Sequence, residues 1–278
     1  MTEKNGGQES QQFSSALEKV PGAAMVELLT ENRGEVSRRD FGDRYEFVQV
    51  LGEGGQGVVV EAHDSLLERE VAIKVLKKRN DPAHTQMLER EAHVGATLEH
   101  PNILPIYDLG ADEIDSPILV MRKIEGRSLE ELLKELYASA PDGLRRSRWR
   151  LLNIFMAVLN AIEFAHSRGI LHLDLKPGNV SLGAHGEVYV IDWGFARRKG
   201  DASALRPGGT VHYIAPERLD GRDFDERADV FSLGVILYRL LTGRHPRDTG
   251  PIPFKQYREV WRDYPLIPAR ERDRTVAP

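Results

Sequence analysis

The 278-residue chain is long enough for one large domain or two lobes sharing a cleft, and its 41% hydrophobic and 29% charged residues are ordinary globular proportions. A net charge of −5 gives no reason to invoke nucleic acid or a membrane surface as partner, and zero cysteines exclude disulfides and thiolate metal centres while fitting a reducing compartment. No apolar run approaches the roughly 18 residues of a membrane span and no signal-peptide core marks the start, so the expectation is a soluble, cytoplasmic chain. Its oligomeric state is not legible.

Residues 1–15 are polar and rich in Gly, Gln and Ser, which predicts disorder. A short helix or two follows, broken at Pro21-Gly22, so residues 1–43 read as an N-terminal extension. A folded domain begins near Arg44. RYEFVQVLG, GVVVEAHD and REVAIKVLKK are short, β-rich and separated by turn residues, as antiparallel strands are. From Pro82, PAHTQMLEREAHVGATLEH has helical spacing, with proline where a first turn tolerates it. PILVMRKI returns to strand. Helices dominate beyond it. SLEELLKELY comes first, then LLNIFMAVLNAIEFAHSRG, with Leu151, Phe155, Val158 and Ile162 on one face and Gly169 as a stop. DVFSLGVILYRLLTG is apolar nearly all round, as a helix buried in a lobe would be. A β-rich front and a helical back predict an α+β fold in two lobes, residues 44–124 and 125–278, the stretch 247–278 being an irregular tail.

LGEGGQGVVV sets Gly52, Gly54 and Gly57 between two strands. Glycines let backbone N–H groups approach a polyphosphate closely. A dinucleotide fingerprint would need a helix directly after them. Val58-Val59-Val60 are strand formers, which favours a phosphate-binding hairpin, with a plain glycine turn as the bland alternative. In VAIK, strand alternation puts Val71, Ile73 and Val75 on one face and Ala72, Lys74 and Leu76 on the other. Small Ala72 thus leaves room for a flat ring beside the Lys74 ammonium, although an ordinary surface lysine is the competing reading. On the helix, Met87, Glu91, Val94 and Leu98 share a stripe that Glu89 faces away from. A carboxylate on a buried stripe needs a cation, so Glu91 is the preferred partner for Lys74.

LHLDLKPGNV then crowds His172, Asp174, Lys176 and Asn179 into one helix-breaking stretch. GEGGQG, VAIK, HLDLKPGN, DWG and APE occur in that order, and together they resemble the signature set of the protein kinases, from about Arg44 to Gly243. The resemblance implies an N-lobe of antiparallel sheet plus one helix, a mainly helical C-lobe, and ATP and Mg²⁺ as cofactors. It implies that Asp174 accepts or orients the proton of the substrate hydroxyl and that Lys176 steadies the transferring phosphate. Asn179 and Asp192 would hold Mg²⁺, Lys74 the α- and β-phosphates, and Glu91 would hold Lys74. His172 reads as a packing and hydrogen-bonding residue. The loop Leu51, Gly52, Glu53, Gly54, Gly55, Gln56 and Gly57 would cover the nucleotide. Leu51, Val59 and Ala72 would sandwich the base, Met121 would stand as gatekeeper before a hinge at 122–124 that includes Lys123, and Ser181 would form the floor. Lys176 and the Thr210 of GGTVHYIAPE are similar to the serine/threonine-specific pattern, Thr210 tying the catalytic loop to the peptide platform. The implied partner is a protein with a Ser or Thr acceptor, in signal transduction, and the style resembles bacterial members of the family.

The chain departs from that pattern in four places. Leu173 stands where the family usually has an Arg that pairs with an activation-segment phosphate, and leucine cannot bind phosphate. Trp193 replaces Phe, and Gly95, four residues after Glu91, suggests that a larger ring fills the space of a missing side chain. Ser181 takes a position where an apolar residue is commoner. The end of the sequence shows no further amphipathic run, so the C-lobe reads as truncated and Glu217 as lacking an arginine partner. These departures keep open a nucleotide-binding scaffold that signals by docking. A small-molecule phosphotransferase ranks lower, since it would need neither APE nor Thr210.

Overall fold

A computed structural model describes residues 44–54, 57–77, 81–112, 115–139, 143–201, 211–219, 224–247, 259 and 266–276. The chain divides into two compact units, residues 1–89 with 107–123, and residues 90–106 with 124–278.

The first unit is built on a five-stranded sheet of β1 (Tyr45–Glu53), β2 (Gly57–Asp64), β3 (Arg69–Leu76), β4 (Ile106–Ala111) and β5 (Pro117–Arg122), in the order β1-β2-β3-β5-β4. The β1–β2, β2–β3 and β3–β5 pairs are antiparallel. Residues directly opposite in such a ladder share a face. Val58, Val60, Ala62, Val71, Ile73, Val75, Ile118 and Val120 therefore form one apolar face, which packs with Tyr45 as a buried core. Each such β-branched side chain contributes about 1.5–3 kcal/mol when fully buried. The opposite face carries Val59, Glu61, Ala72, Lys74, Leu119 and Met121.

Arg44, where the sequence places the start of the fold, donates from Nε and Nη2 to the two carboxylate oxygens of buried Asp64, at 2.9 and 3.0 Å. That hydrogen bonding pulls the Asp64 carboxyl from an ordinary 3.8 to about 2. A depressed carboxyl stabilises the fold fully above its unfolded value and loses that contribution as pH falls through the folded value. Asp64→Asn is therefore expected to be less stable than the wild type at neutral pH, and the gap in urea midpoint should narrow as pH is lowered below about 4. A gap that is constant with pH would mean that the ion pair does not set it.

The second unit is mainly helical. Helix α1 (Pro82–Thr97) is cut by the division at Glu89/Arg90, and its last two turns belong here. It is followed by α2 (Leu129–Ser139), α3 (Gly143–Arg146), α4 (Arg148–Ser167), α5 (Pro216–Leu219), α6 (Arg227–Thr242) and α7 (Ala269–Arg272). Short strands β6 (Gly126–Ser128), β8 (Val180–Gly183) and β9 (Val188–Val190) form a small sheet, and β7 (Ile170–Leu171) pairs with β10 (Arg197–Arg198). Ser128 and Glu131 cap α2 reciprocally, the Ser128 N–H reaching the Glu131 carboxylate at 2.8 Å and the Glu131 N–H reaching Ser128 Oγ at 3.2 Å. The predicted stripe of α4, Leu151, Phe155, Val158 and Ile162, lies in the core with Ile236 and Leu240 of α6. No helix among the described residues is long and apolar enough to cross a membrane.

Two expectations need correction. The space facing Gly95 is filled by Ile106, whose Cγ1 would lie 2.6 Å from a Cβ built there. Trp193 instead packs on the His172 ring, with centroids 4.5 Å apart. Gly95 is thus required where the chain passes close to α1 on its way into β4. Within the region expected to be an irregular tail, residues 269–272 form α7, and Arg148 Nη2 at the start of α4 donates to Asp273 Oδ2 at 3.0 Å and to Thr275 Oγ1 at 3.0 Å. A charged stretch without apolar periodicity is held here by ion pairing and hydrogen bonds.

Candidate active site

After β7, Pro177 and Gly178 stop any helix, and the chain makes one 3-10 turn, Pro177–Asn179, before entering β8. That turn folds two polar side chains onto one carboxylate. Lys176 Nζ donates to Asp174 Oδ2 at 2.7 Å, and Asn179 Nδ2 donates to the same oxygen at 2.9 Å and to the Asp174 carbonyl at 2.8 Å. Asp174 is 4% exposed. With its nitrogen so committed, Asn179 has its amide oxygen to offer a cation.

Asp192 arrives beside Asn179 through strand pairing. Val180 lies opposite Val190, and the Ile191 N–H donates to the Asn179 carbonyl at 3.0 Å. Asp192 follows directly with φ +65° and ψ +70°, a left-handed conformation that costs a non-glycine residue about 1–2 kcal/mol. Such strain persists where the surroundings hold it, and it clusters at functional sites. An amide oxygen and a carboxylate suit Mg²⁺, a hard cation that takes oxygen ligands and keeps some of its waters. The donor set fits that ion.

The loop's own supports escaped the sequence reading. Asp229, in the first turn of α6, is fully buried and accepts from the His172 N–H and the Leu173 N–H, both at 2.8 Å, and from His166 Nε2 at 2.9 Å. Burial alone would raise its carboxyl, but the His166 hydrogen bond and the two backbone donors outweigh it and hold it below the ordinary range. His172 accepts the Asp174 N–H at Nδ1 (3.3 Å) and donates from Nε2 to the Ile191 carbonyl (3.2 Å), joining the loop around Asp174 to the approach to Asp192. Arg218, directly after Ala215-Pro216-Glu217, is buried and donates to the Leu173 carbonyl. Glu217 is half-buried, and its charge favours the guanidinium groups of Arg218 and Arg227. The sequence signal for Asp229 was one acidic residue opening an otherwise apolar helix, which reads equally well as an ordinary N-terminal charge.

In the first unit, the sheet register puts Val59, Ala72, Lys74 and Met121 on one face. The same face holds Glu61, 5% exposed, which accepts from Lys123 Nζ at 2.6 Å and from Gln49 Nε2 at 3.0 Å. The Lys123 ammonium is therefore occupied by a carboxylate of β2. Glu53 pairs with Lys77 at 2.6 Å, and Leu51 is exposed at an irregularity in the β1–β2 register. The three glycines differ in kind. A Cβ at Gly52 would meet nothing within 4 Å and one at Gly54 only a carbonyl at 3.9 Å, whereas at Gly57 it would sit 2.3 Å from the Val75 carbonyl. Gly57→Ala is expected to destabilise the fold by about 1–3 kcal/mol through overpacking, with Gly52→Ala close to wild type in thermal unfolding. Equal melting temperatures for the two variants would contradict this.

Among the remaining expected residues, Glu91 is buried on α1 while Glu89 is exposed, and half-buried Ser181 pairs with Ser128 and Tyr189 in the small sheet. Gly55, Gln56 and Thr210 lie outside the described residues.

A family model described as the protein kinase domain matches residues 45–266. The chain belongs to the protein kinase family. Its α+β architecture, an antiparallel sheet in one lobe and a mainly helical second lobe, is the expected one. The kinase domain is 40% identical over 218 residues to a probable serine/threonine-protein kinase of Streptomyces coelicolor, covering 75% of this chain and 31% of that protein. It is 38% identical over 210 residues to the serine/threonine-protein kinase PrkC of Bacillus subtilis, covering 74% and 31%. It is 34% identical over 240 residues to the serine/threonine-protein kinase PknB of Mycobacterium leprae, covering 83% and 37%. The chain thus spans about a third of the length of these curated relatives.

Proposed function

We propose that this kinase domain transfers the γ-phosphate of ATP to Ser or Thr hydroxyls of a protein substrate, in signal transduction. One observation carries the reading: the Asp174 carboxylate is held by Lys176 and Asn179 while strand pairing brings strained Asp192 beside Asn179. Phosphoryl transfer asks a protein mainly for positioning and charge neutralisation. Bound Mg²⁺ supplies neutralisation of the phosphate oxygens. Asn179 and Asp192 hold it, Asp174 orients the acceptor hydroxyl and takes its proton, and Lys176 steadies the transferred group. Lys74 binds the α- and β-phosphates and Glu91 orients Lys74. The glycine hairpin covers the phosphates, Leu51, Val59 and Ala72 sandwich the base, and Met121 stands as gatekeeper. Thr210 belongs to the peptide platform. Residues 44–124 serve as N-lobe and 125–278 as C-lobe, working in the cytoplasm, where ATP is available. The serine/threonine-kinase names of the relatives support the choice of acceptor.

Leu173 is 2% exposed and apolar, so it offers nothing to an activation-segment phosphate. Incubated with labelled ATP, Mg²⁺ and a basic protein, phosphatase-treated and untreated enzyme should transfer at rates within about twofold of each other. A loss of tenfold or more on treatment would show that a phosphate elsewhere activates the enzyme.

A further inference from the structure

The turn that aims Asp174 is strained. Leu173 has φ +65°, a left-handed conformation that disfavours any side chain, and this one is buried among Leu171, Ala215 and Ala228. The strain must be held from outside the loop. On the amide side, Asp229 accepts the N–H groups of His172 and Leu173. On the carbonyl side, the Leu173 oxygen accepts from the guanidinium of Arg218. Arg218 sits on α5, just after the platform segment 211–214, is 6% exposed, and lies 5.7 Å from the centroid of the Phe224 ring. A buried cation persists only where acceptors and opposite charges surround it. The carboxylates of Asp229, Asp174 and Glu217 provide that field.

We propose that Arg218 is a positioning residue, a resident cation that closes the turn at Leu173 from the carbonyl side and so aims Asp174 without a phosphate on the activation segment. It acts through the backbone, leaving the reacting atoms to Asp174. Because Arg218 follows the platform directly, seating of the platform and orientation of Asp174 become one event. A substrate or partner that pulls α5 away would release the turn and lower turnover while leaving nucleotide binding alone. The effect on turnover rests on the kinase reading; the clamp itself does not.

The test compares Arg218→Met, which keeps much of the side-chain bulk and removes the charge, with Arg218→Lys, which restores a charged donor. Both are assayed for kcat and for KM toward ATP, and amide hydrogen exchange is followed in segment 171–179 and in α4. Arg218→Met should lower kcat by about 30-fold or more with KM for ATP within about twofold, and Arg218→Lys should recover at least about a third of wild-type kcat. Exchange in 171–179 should quicken about tenfold or more in the Met variant while α4 is unchanged. A kcat within about threefold of wild type overturns the proposal. So does a loss that lysine does not recover, or exchange that quickens equally in α4, the mark of a general structural role. If Arg218→Met fails to fold, Arg218→Gln, an uncharged donor, replaces it under the same criteria. A wild-type chain that transfers no phosphate would overturn the kinase reading, and the exchange comparison would still decide the clamp.

Discussion

Asp192→Gly is expected to abolish phosphoryl transfer, by about 10³-fold, without a matching loss of stability. On the proposed reading the carboxylate is the anionic member of the Asn179/Asp192 pair, so its removal would leave the phosphate charge uncompensated. Its backbone, however, sits at φ +65°, where glycine is at ease and aspartate is strained by about 1–2 kcal/mol. Relief of that strain offsets the greater unfolded-state freedom of glycine, about 0.5–1 kcal/mol. The melting temperature should therefore stay within about 3 °C of wild type, since about 1 kcal/mol shifts it by roughly 2–4 °C in a domain of this size. Paired transfer assays and thermal scans check both halves. A variant that keeps a tenth of the activity would remove Asp192 from the metal site. A variant that is inactive because it has unfolded would show that the residue supports the fold.

Asp229→Ala should have the opposite profile. Three donors lose their acceptor at once: the amides of His172 and Leu173 and the ring of His166. At about 1–3 kcal/mol for each buried donor left unsatisfied, destabilisation of roughly 3–9 kcal/mol follows. The melting temperature should fall by about 10 °C or more. Activity should disappear with it, because the turn that carries Asp174 loses its amide-side anchor. Asp229→Asn keeps one acceptor oxygen and should fall between Ala and wild type. An Ala variant that melts within about 2 °C of wild type would mean that the loop finds other partners.

The two variants separate what is legible in the sequence from what is not. Asp192 stands in a short motif whose residue types announce oxygen chemistry, so its candidacy was visible in the sequence. Asp229 stands in an apolar helix, and its task is defined by two amides 57 and 56 residues earlier in the chain. The charged tail gave a comparable lesson: it has no helical periodicity, yet Arg148 reaches it across 125 residues to hold Asp273. From the sequence alone Gly95 makes room for Trp193, because a local window shows that a side chain is missing but cannot name what enters the gap.

What this sequence determined alone was whatever obeys a short period or a local motif. Strand alternation put Lys74 and Ala72 on one face, helical spacing buried Leu151, Phe155, Val158 and Ile162, and Pro177-Gly178 broke the helix beside Asp174. Tertiary structure decided which groups from distant segments meet: Ile106 at Gly95, Lys123 at Glu61, the Val75 carbonyl against Gly57, and Asp229 and Arg218 on either side of the turn at Leu173. The reason is physical. Periodicity and turn chemistry are properties of neighbours along the chain, whereas a buried charge or an unfilled gap is satisfied by whatever the folded register brings within reach.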